Sequence, residues 1–531
     1  MSDFKLRTEN IKPTKILDYY VETKDDRKIV NQLKSDVPIV LVGSRGVGKS
    51  FLLRVAEAEL KKDVQEENVV PVYLSFTQGS MLQLDDETQF YTWMLAKMCS
   101  AFLRSIKKLG VYAPASILAS KSGDDEENYL NRLIVEFEQT WKGGTIQTNT
   151  ADLPSVDEFK ETIEDICEEA GIDFVNFFVD EAAHILRPAQ QRQFFSLYRD
   201  VNSPYINCNA AIYPGVTSFG SNFQPIHDAT FVNLERDVSS SGYVNYMQNI
   251  VEKQAAAKIL AKITKNKSNF AILAYAANGN PRILLRTLSL APNVSSRELN
   301  TVVKEFYKSS IWEEHTLLAE KYSGFKEYID WGRDFVEDMV LPELKSKNDD
   351  YLNRDKKTTR YFWTHKDAPE RVKKALNLLC YTGIISTHTD AVKATRSEVG
   401  TRYSVNMGCL LSLENVPART GLDIVRNITI KRMSEYGANH AAYDSLNPNM
   451  TEFDNSVINQ ALKQQLAKSV EFLALPEWLI ERLKTLGLDQ IGKVLDATEE
   501  KIQEASYYVG KVRSRYIKNE ALSAVFEYLS G

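Results

Sequence analysis

The chain has 531 residues, 43% apolar and 26% charged, with a net charge of −6. That composition suits a globular protein with room for about three or four domains, and it excludes a chain that grips nucleic acid by bulk positive charge. No apolar run is long enough for a bilayer, no signal-peptide stretch opens the sequence, and the five cysteines (99, 167, 208, 380 and 409) form no CxxC pair; a reducing, cytoplasmic setting without a disulfide framework or zinc ribbon is expected.

Pro38-Ile39-Val40-Leu41-Val42 reads as a buried strand, and Phe51 to Leu60 as a helix. Between them stands Gly43-Ser44-Arg45-Gly46-Val47-Gly48-Lys49-Ser50, a P-loop in the strand, loop and helix setting that the motif requires. Its glycines let backbone N–H groups turn inward around phosphate oxygens at a helix N-terminus. Gly43, Ser44, Arg45, Gly46, Val47, Gly48, Lys49 and Ser50 are therefore expected to bind nucleotide. Lys49 would reach the β- and γ-phosphates, and the Ser50 hydroxyl would ligate Mg²⁺. Val69 to Phe76 reads as a second core strand, followed by a helix from about Glu87 to Leu109. Residues 111–154 look like an insertion, and Ser155-Val156-Asp157-Glu158 is a capping box opening the next helix.

Val175-Asn176-Phe177-Phe178-Val179-Asp180-Glu181 is an apolar strand ending in two acids. Asp180 is expected to assist Mg²⁺, and Glu181 to polarise the attacking water as general base. The run on to His184 shares letters with a DEAH helicase box but is one residue too long, so His184 is expected to be structural. Asn209 to Val216 reads as a strand ending in hydroxyl residues, with Thr217, then Ser218, expected to sense the γ-phosphate. With the strand at 230–234, alternating strands and helices predict a parallel sheet with helices on both faces. From about 241 to about 345 helical patterns dominate. Within them Gly279-Asn280-Pro281-Arg282 joins two helices. Pro281 suits a helix start, and Arg282 in the first turn can pair with a phosphate.

Together these four motifs resemble the AAA+ superfamily, in the branch holding origin-recognition and archaeal replication-initiator ATPases and their STAND relatives. The resemblance rests on Ser44 to Ser50, Val179-Asp180-Glu181 and Gly279-Asn280-Pro281-Arg282, and spans about residues 15–290. It implies a P-loop ATPase core over 1–240, a helical lid and connecting helices over 241–345, and ATP and Mg²⁺ as cofactors. It also implies ATP hydrolysis, slow turnover included, with Lys49, Glu181, Thr217 and Arg282 in the machinery, and a switch able to form ATP-dependent homo-oligomers. One departure stands out: no arginine precedes the 230–234 strand, where a trans-acting finger often sits. Arg187, Arg192, Arg199 and Arg236 are nearby in sequence without that placement, which argues against a closed, rapidly hydrolysing ring.

Residues 351–405 carry eleven Lys and Arg against five Asp and Glu. An amphipathic helix, Pro369 to Leu379, precedes two short strands, Gly383 to Thr387 and Arg402 to Val405, with Lys393 and Arg396 in the loop between. This is the outline of a winged helix, expected over 346–436. Lys393, Arg396 and Arg402 are its candidate DNA contacts; a solvated basic face, or packing on the ATPase core, is the alternative. Breaker-rich residues 437–455 predict a linker, and 437–474 are expected to hold linker and helix. Residues 475–531 are similar to helix-hairpin-helix domains, whose glycine turns offer N–H groups to a DNA phosphate. Lys511, Arg513 and Arg515 cluster at the second turn. DNA phosphate binding and protein docking both fit this module. The chain is expected to be an ATPase switch acting on DNA as an initiator, loader or transposition regulator. A STAND-like sensor, for example in bacterial antiviral defence, and a nucleotide-gated protein scaffold use the same parts. A protein partner is expected and a membrane is not.

Overall fold

The computed structural model describes residues 4–82, 87–110, 118, 126–140, 145–181, 188–321, 323–395, 397–446, 463–473, 475–504 and 508–530. Five strands, β1 (Ile39–Val42), β2 (Val69–Ser75), β3 (Phe174–Asp180), β4 (Ile206–Ile212) and β5 (Thr230–Asn233), pair in parallel in the order β2-β3-β4-β1-β5. The inner strands are nearly continuous aliphatic and aromatic runs, as strands covered on both faces must be. Ile39 and Leu41 face the core made with helices Lys24–Lys34 and Lys49–Lys62. Val40 faces the opposite core, built from helices Glu87–Leu109, Val156–Ala170 and Pro188–Val201. Three layers result, and ligands of such sheets bind beyond the carboxyl ends of the strands.

Register places the site. Val42 is level with Ile212 on one side and Asn233 on the other. Ala210 is level with both Val40 and Val179, so Asp180 ends β3 beside the root of the P-loop. At the opposite end of the sheet Asn176, Asn207 and Asn209 are buried. Their amides donate to the carbonyls of Leu33 and Ser35 at 2.9–3.1 Å and to one another, satisfying two carbonyls at the end of helix Lys24–Lys34.

The expected strand Asn209 to Val216 is a correction: β4 runs from Ile206 to Ile212, because Pro214 and Gly215 (φ +76°) turn the chain out of the sheet. Beyond the sheet, helices from Tyr243 onward lead to a second sheet of β6 (Tyr361–His365), β7 (Ile385–Lys393), β8 (Val399–Val405) and β9 (Ser434–Tyr436), ordered β7-β8-β6-β9. β6 and β9 carried no sequence expectation, and the β7–β8 hairpin is longer than the two short strands read there. Helix Glu370–Thr382 precedes β7. One hydrophobic core runs from Val238 to Leu446 and takes in Phe4 and Tyr213 as well. Its centre stacks Trp331 on Phe335 at 4.9 Å and sets Phe335 edge-on to Tyr436 at 5.0 Å. The start of the expected linker belongs to this core: Tyr443 is buried in it, and Trp331 Nε1 donates to the Ala442 carbonyl at 3.0 Å.

The last module has a core of its own, from Val470 through Leu483, Ile491 and Ile517 to Val525. Its helices are Glu477–Thr485, Ile491–Asp496, Glu499–Gln503 and Lys511–Ser530, with Gly487 at φ +75° ending the first. Among the described residues no helix is long and apolar enough to cross a membrane, and the five cysteines are free and buried.

Candidate nucleotide-binding site

The loop after β1 turns at Gly46 (φ +85°) and Gly48 (φ +108°), a left-handed backbone that glycine adopts freely. A Cβ on Gly46 would stand 2.7 Å from Asn280 Oδ1, so a larger residue would have to displace that side chain. Lys49 opens helix Lys49–Lys62 and is buried. Its ammonium donates to the carbonyls of Gly43 at 2.6 Å and Ser44 at 3.1 Å. Burial pulls its pKa down to about 7, although the charges of Glu181 and Asp180 pull it up. An anion brought to this loop would restore the charged form.

Asp180 accepts from Ser50 Oγ at 2.9 Å, from the Tyr73 hydroxyl at 2.6 Å and from the Glu181 amide at 3.0 Å. Burial, then the Glu181 charge, pushes Asp180 up to about 6. A hydroxyl and a buried carboxylate side by side, with the carboxylate strained toward its neutral form, suit a hard divalent cation. Ser50 and Asp180 therefore fit the Mg²⁺ expected of them.

Glu181 follows β3 in a left-handed conformation, φ +55°, uncommon for a residue with a Cβ. Its Oε1 lies 3.5 Å from the Tyr213 hydroxyl, and the Tyr213 ring lies 3.9 Å from Lys49 Nζ. Tyr213 was missed by the sequence reading. Thr217, expected at this place, donates its hydroxyl back to the Tyr213 carbonyl at 2.9 Å and is not among the residues that line the cleft. The Ser218 amide is spent on Gln191 Oε1. Pro214-Gly215 was the available signal, since breakers there end the strand before Tyr213.

Arg282 stands in the first turn of helix Pro281–Leu290, lines the cleft, and donates through Nε to the Leu6 carbonyl at 3.2 Å. Burial, then the charge of Arg45, weakens its hold on its proton. Asn280 caps that helix by accepting from the Ile283 amide at 3.2 Å, while its Nδ2 donates to the Arg45 carbonyl at 2.7 Å. Lid helix and P-loop are thus tied through one amide side chain. Arg236 donates to the Val47 carbonyl at 2.7 Å and pairs with Asp26 at 3.2 Å. It props the loop of its own chain, which a finger aimed at a neighbour could not do. Arg199 is bound to Asp200 and the Asn222 carbonyl; Arg187 and His184 lie outside the described residues.

The cleft, about 290 Å³, is lined by the cations of Arg45, Lys49, Arg236 and Arg282 and by the apolar or aromatic side chains of Ile11, Tyr20, Val21, Tyr246 and Leu285. A molecule with phosphates and a flat apolar head matches that mixed lining. Residues 5–11 and 19–21 contribute to this wall, and no local pattern marked them beforehand. The C-terminal part closes the phosphate side. Glu314 Oε1 lies 3.4 Å from Arg45 Nη1, and the Tyr381 ring is 5.1 Å from that of Tyr213. A Cβ on Gly383 would meet Ser44 at 3.3 Å.

Of the expected DNA contacts, Lys393 is exposed at the end of β7, and Arg396 lies outside the described residues. Arg402 is half-buried with Nε shielded from solvent, and its charge reaches His388 and Tyr361. Lys511, Arg513 and Arg515 are exposed. Arg513 Nη1 donates to the Tyr508 carbonyl at 2.7 Å, and Arg515 Nε reaches Glu499 at 3.1 Å.

Residues 4–181 match the family model described as ORC-CDC6-like. No curated protein matches the chain. Among solved structures, the Aeropyrum pernix ORC2 protein in its ADPNP and ADP complexes is 11% identical, with a TM-score of 0.35, covering 78% of this chain and 96% of its own. The Aeropyrum pernix ORC1 protein in complex with DNA is 13% identical, with a TM-score of 0.30, over 78% and 94%. Neither likeness is close enough to carry residue roles across.

Proposed function

We propose that this chain, ORC-CDC6-like over residues 4–181, is an ATP-dependent switch that hydrolyses ATP slowly and passes its nucleotide state to C-terminal modules that contact DNA. The observation that carries the reading is the meeting of four distant parts of the chain on one glycine loop. Asp180 and Glu181 reach it from β3, Asn280 and Arg282 from the lid, the Leu6 segment by way of Arg282, and Glu314, Tyr381 and Gly383 from the C-terminal part.

On ATP binding Lys49 exchanges the Gly43 and Ser44 carbonyls for β- and γ-phosphate oxygens, and Arg45 and Arg282 neutralise the rest. Ser50 and Asp180 would hold Mg²⁺, whose charge would offset that of the phosphates. Glu181 accepts the proton of the attacking water, and the Tyr213 hydroxyl steadies its carboxylate. When the γ-phosphate leaves, Arg45 turns to Glu314 and the C-terminal part closes on the loop. Lys393, Arg402, Lys511, Arg513 and Arg515 are the proposed DNA contacts at the output end.

Lys49→Ala is expected to abolish ATP binding. Glu181→Gln is expected to keep binding and lose turnover by about two to four orders of magnitude, the worth of a general base. Equilibrium dialysis and phosphate release read the two. Wild-type affinity in the first, or wild-type turnover in the second, overturns the assignment.

A STAND-like sensor is the second reading. The closure of Glu314 and Gly383 over the loop within one chain favours it, because such contacts hold a closed monomer that a ligand could open. Sedimentation separates the two: assembly triggered by a foreign ligand supports the sensor, and ATPase stimulation by plain duplex DNA supports the DNA switch.

A further inference from the structure

The helices that follow the five-stranded sheet carry a charge opposite to that of the chain. From Tyr243 to Glu305 there are nine Lys and Arg against three Asp and Glu, and no acid stands between Glu252 and Glu298, in a protein of net charge −6. Three of the nine cations are engaged. Arg282 lines the nucleotide cleft, the Arg286 guanidinium lies 5.7 Å from the centre of the Phe306 ring, and Lys304 Nζ donates to the Asn415 carbonyl at 2.8 Å. The other six, Lys253, Lys258, Lys262, Lys265, Lys267 and Arg297, make no ion pair among the described residues. Lys262 is half-buried and the rest are exposed. The acids that bound the stretch are held at short range. Glu252 accepts from Gln248 Nε2 at 2.8 Å, and Glu298 accepts from the backbone and side chain of Asn293 at 3.0 and 2.7 Å. Glu305 ends helix Ser296–Glu305, about 12 Å along it from Arg297.

Helix Ala257–Lys265 sets three of the free cations in a row. Ile259, Leu260 and Ile263 pack on the core shared with helix Pro281–Leu290. Lys258, Lys262 and Lys265 stand at i, i+4 and i+7, a stripe about 10 Å long on the side away from that core. Asn266 Nδ2 donates to the Asn293 carbonyl and Asn269 Nδ2 to Ser296 Oγ, each at 3.2 Å. These bonds bring the start of helix Ser296–Glu305, with Arg297, to the Lys267 end of the stripe. Lysines at i and i+4 repel one another, so the row by itself costs the helix stability. A partner with a row of negative charge turns that cost into attraction. An anionic bilayer would need the apolar face of the helix, which the core already holds. Protein interfaces are built on apolar and aromatic anchors and are poor in lysine, and no large apolar side chain of this helix is exposed. Single strands are gripped by stacking on aromatic rings, which the stripe lacks. The backbone of a duplex asks only for cations in a row.

Resting on the reading of the chain as a DNA-acting switch, we propose that the face of Lys258, Lys262 and Lys265, extended by Lys267 and Arg297, docks on the phosphate backbone of duplex DNA. It reads no sequence, since backbone contacts carry none. The stripe follows Ile250 and Gln254, which line the nucleotide cleft, so a shift of that wall carries the stripe with it.

The test is binding of the full chain to a duplex of about 20 base pairs across a salt series. Lys258→Ala/Lys262→Ala/Lys265→Ala should weaken binding about tenfold or more at low salt and flatten the salt slope by about two to three, near 0.9 per lost contact. Lys258→Arg/Lys262→Arg/Lys265→Arg keeps the charge and should bind as wild type. So should a control of equal charge loss on exposed lysines beside the five-stranded sheet, Lys24→Ala/Lys28→Ala/Lys62→Ala. The three stripe positions do not line the cleft, so ATP affinity by equilibrium dialysis should be unchanged in the alanine triple. Duplex and ATP affinity falling together would mark a fold defect and overturn the proposal. So does lost binding in the arginine triple, or an equal loss in the control, which would mean bulk charge only. A loss of polyglutamate binding in place of duplex binding overturns it in favour of an acidic protein. If the wild-type chain binds no duplex at low salt, the DNA reading itself fails, and this proposal with it; if it binds duplex and the alanine triple matches its affinity and slope, only this proposal fails.

Discussion

Tyr213 holds together the two groups on which hydrolysis would turn. Its ring lies against the Lys49 ammonium, and its hydroxyl approaches Glu181. Tyr213→Phe keeps the ring and removes the hydroxyl. We expect kcat to fall by about three- to tenfold, the worth of one hydrogen bond to a charged group, with KM nearly unchanged. A fall in affinity with kcat intact would show that Tyr213 packs and does not position. The same pocket predicts proton movements on binding. In the free protein the Lys49 pKa is lowered to about 7 and the Asp180 pKa is raised to about 6. Phosphate returns Lys49 toward its ordinary high value, so at about pH 8 ATP binding without Mg²⁺ should take up a fraction of a proton. Mg²⁺ lowers Asp180 toward its ordinary low value, so its addition near pH 5.5 should release about half a proton or more. Calorimetry in buffers of different ionisation enthalpy reads both signs. Proton release in the first experiment, or uptake in the second, would contradict the charge states described.

At the scale of elements, helix Pro281–Leu290 packs Leu284, Leu285 and Leu288 into the core and is tied to the P-loop through its cap. Asn280 satisfies the Ile283 amide and, through its other end, the Arg45 carbonyl. Asn280→Ala removes both contacts. The cap alone contributes about 1 kcal/mol. Hydrogen exchange in residues 281–290 should accelerate by about fivefold or more, and the P-loop amides should lose protection with them. Protection lost in the helix but retained in the loop would show that the two elements are not tied. The helix and two strands expected over 369–405 are present as Glu370–Thr382, β7 and β8. The parallel partner β9 comes from about 70 residues beyond β6, a pairing without local trace.

For the whole molecule, the contact of Glu314 with Arg45 is the place where the C-terminal part would feel the nucleotide. Glu314→Arg replaces attraction by repulsion. We expect the variant to open: a larger radius of gyration by solution scattering without nucleotide, and limited proteolysis that no longer distinguishes ATP from ADP. An exposed pair of this kind contributes only about 1 kcal/mol or less, so the repulsive variant, and not Glu314→Ala, is the informative one. A scattering profile identical to wild type would mean that packing at Tyr381 and Gly383 holds the closure without the ion pair.

The parallel sheet, the P-loop and the acidic strand end were legible in the sequence because each is carried by a short contiguous stretch. Val175 to Glu181 announces its strand within seven residues, and Gly43 to Ser50 sits between a strand and a helix that are equally plain. The helix start at Asn280 and Pro281 was legible for the same reason. What only the tertiary structure decided is who else arrives at the loop. Tyr213 stands against Lys49 and Glu181 because Pro214 and Gly215 end β4 early, and strand ends are set by backbone geometry more than by side-chain pattern. The Leu6 carbonyl, the Asn280 amide and the Glu314 carboxylate meet the site from 276, 235 and 269 residues away from their partners. Contacts across such separations leave no periodicity in the sequence, because they depend on how separately folded elements pack and not on the local chemistry of any one of them.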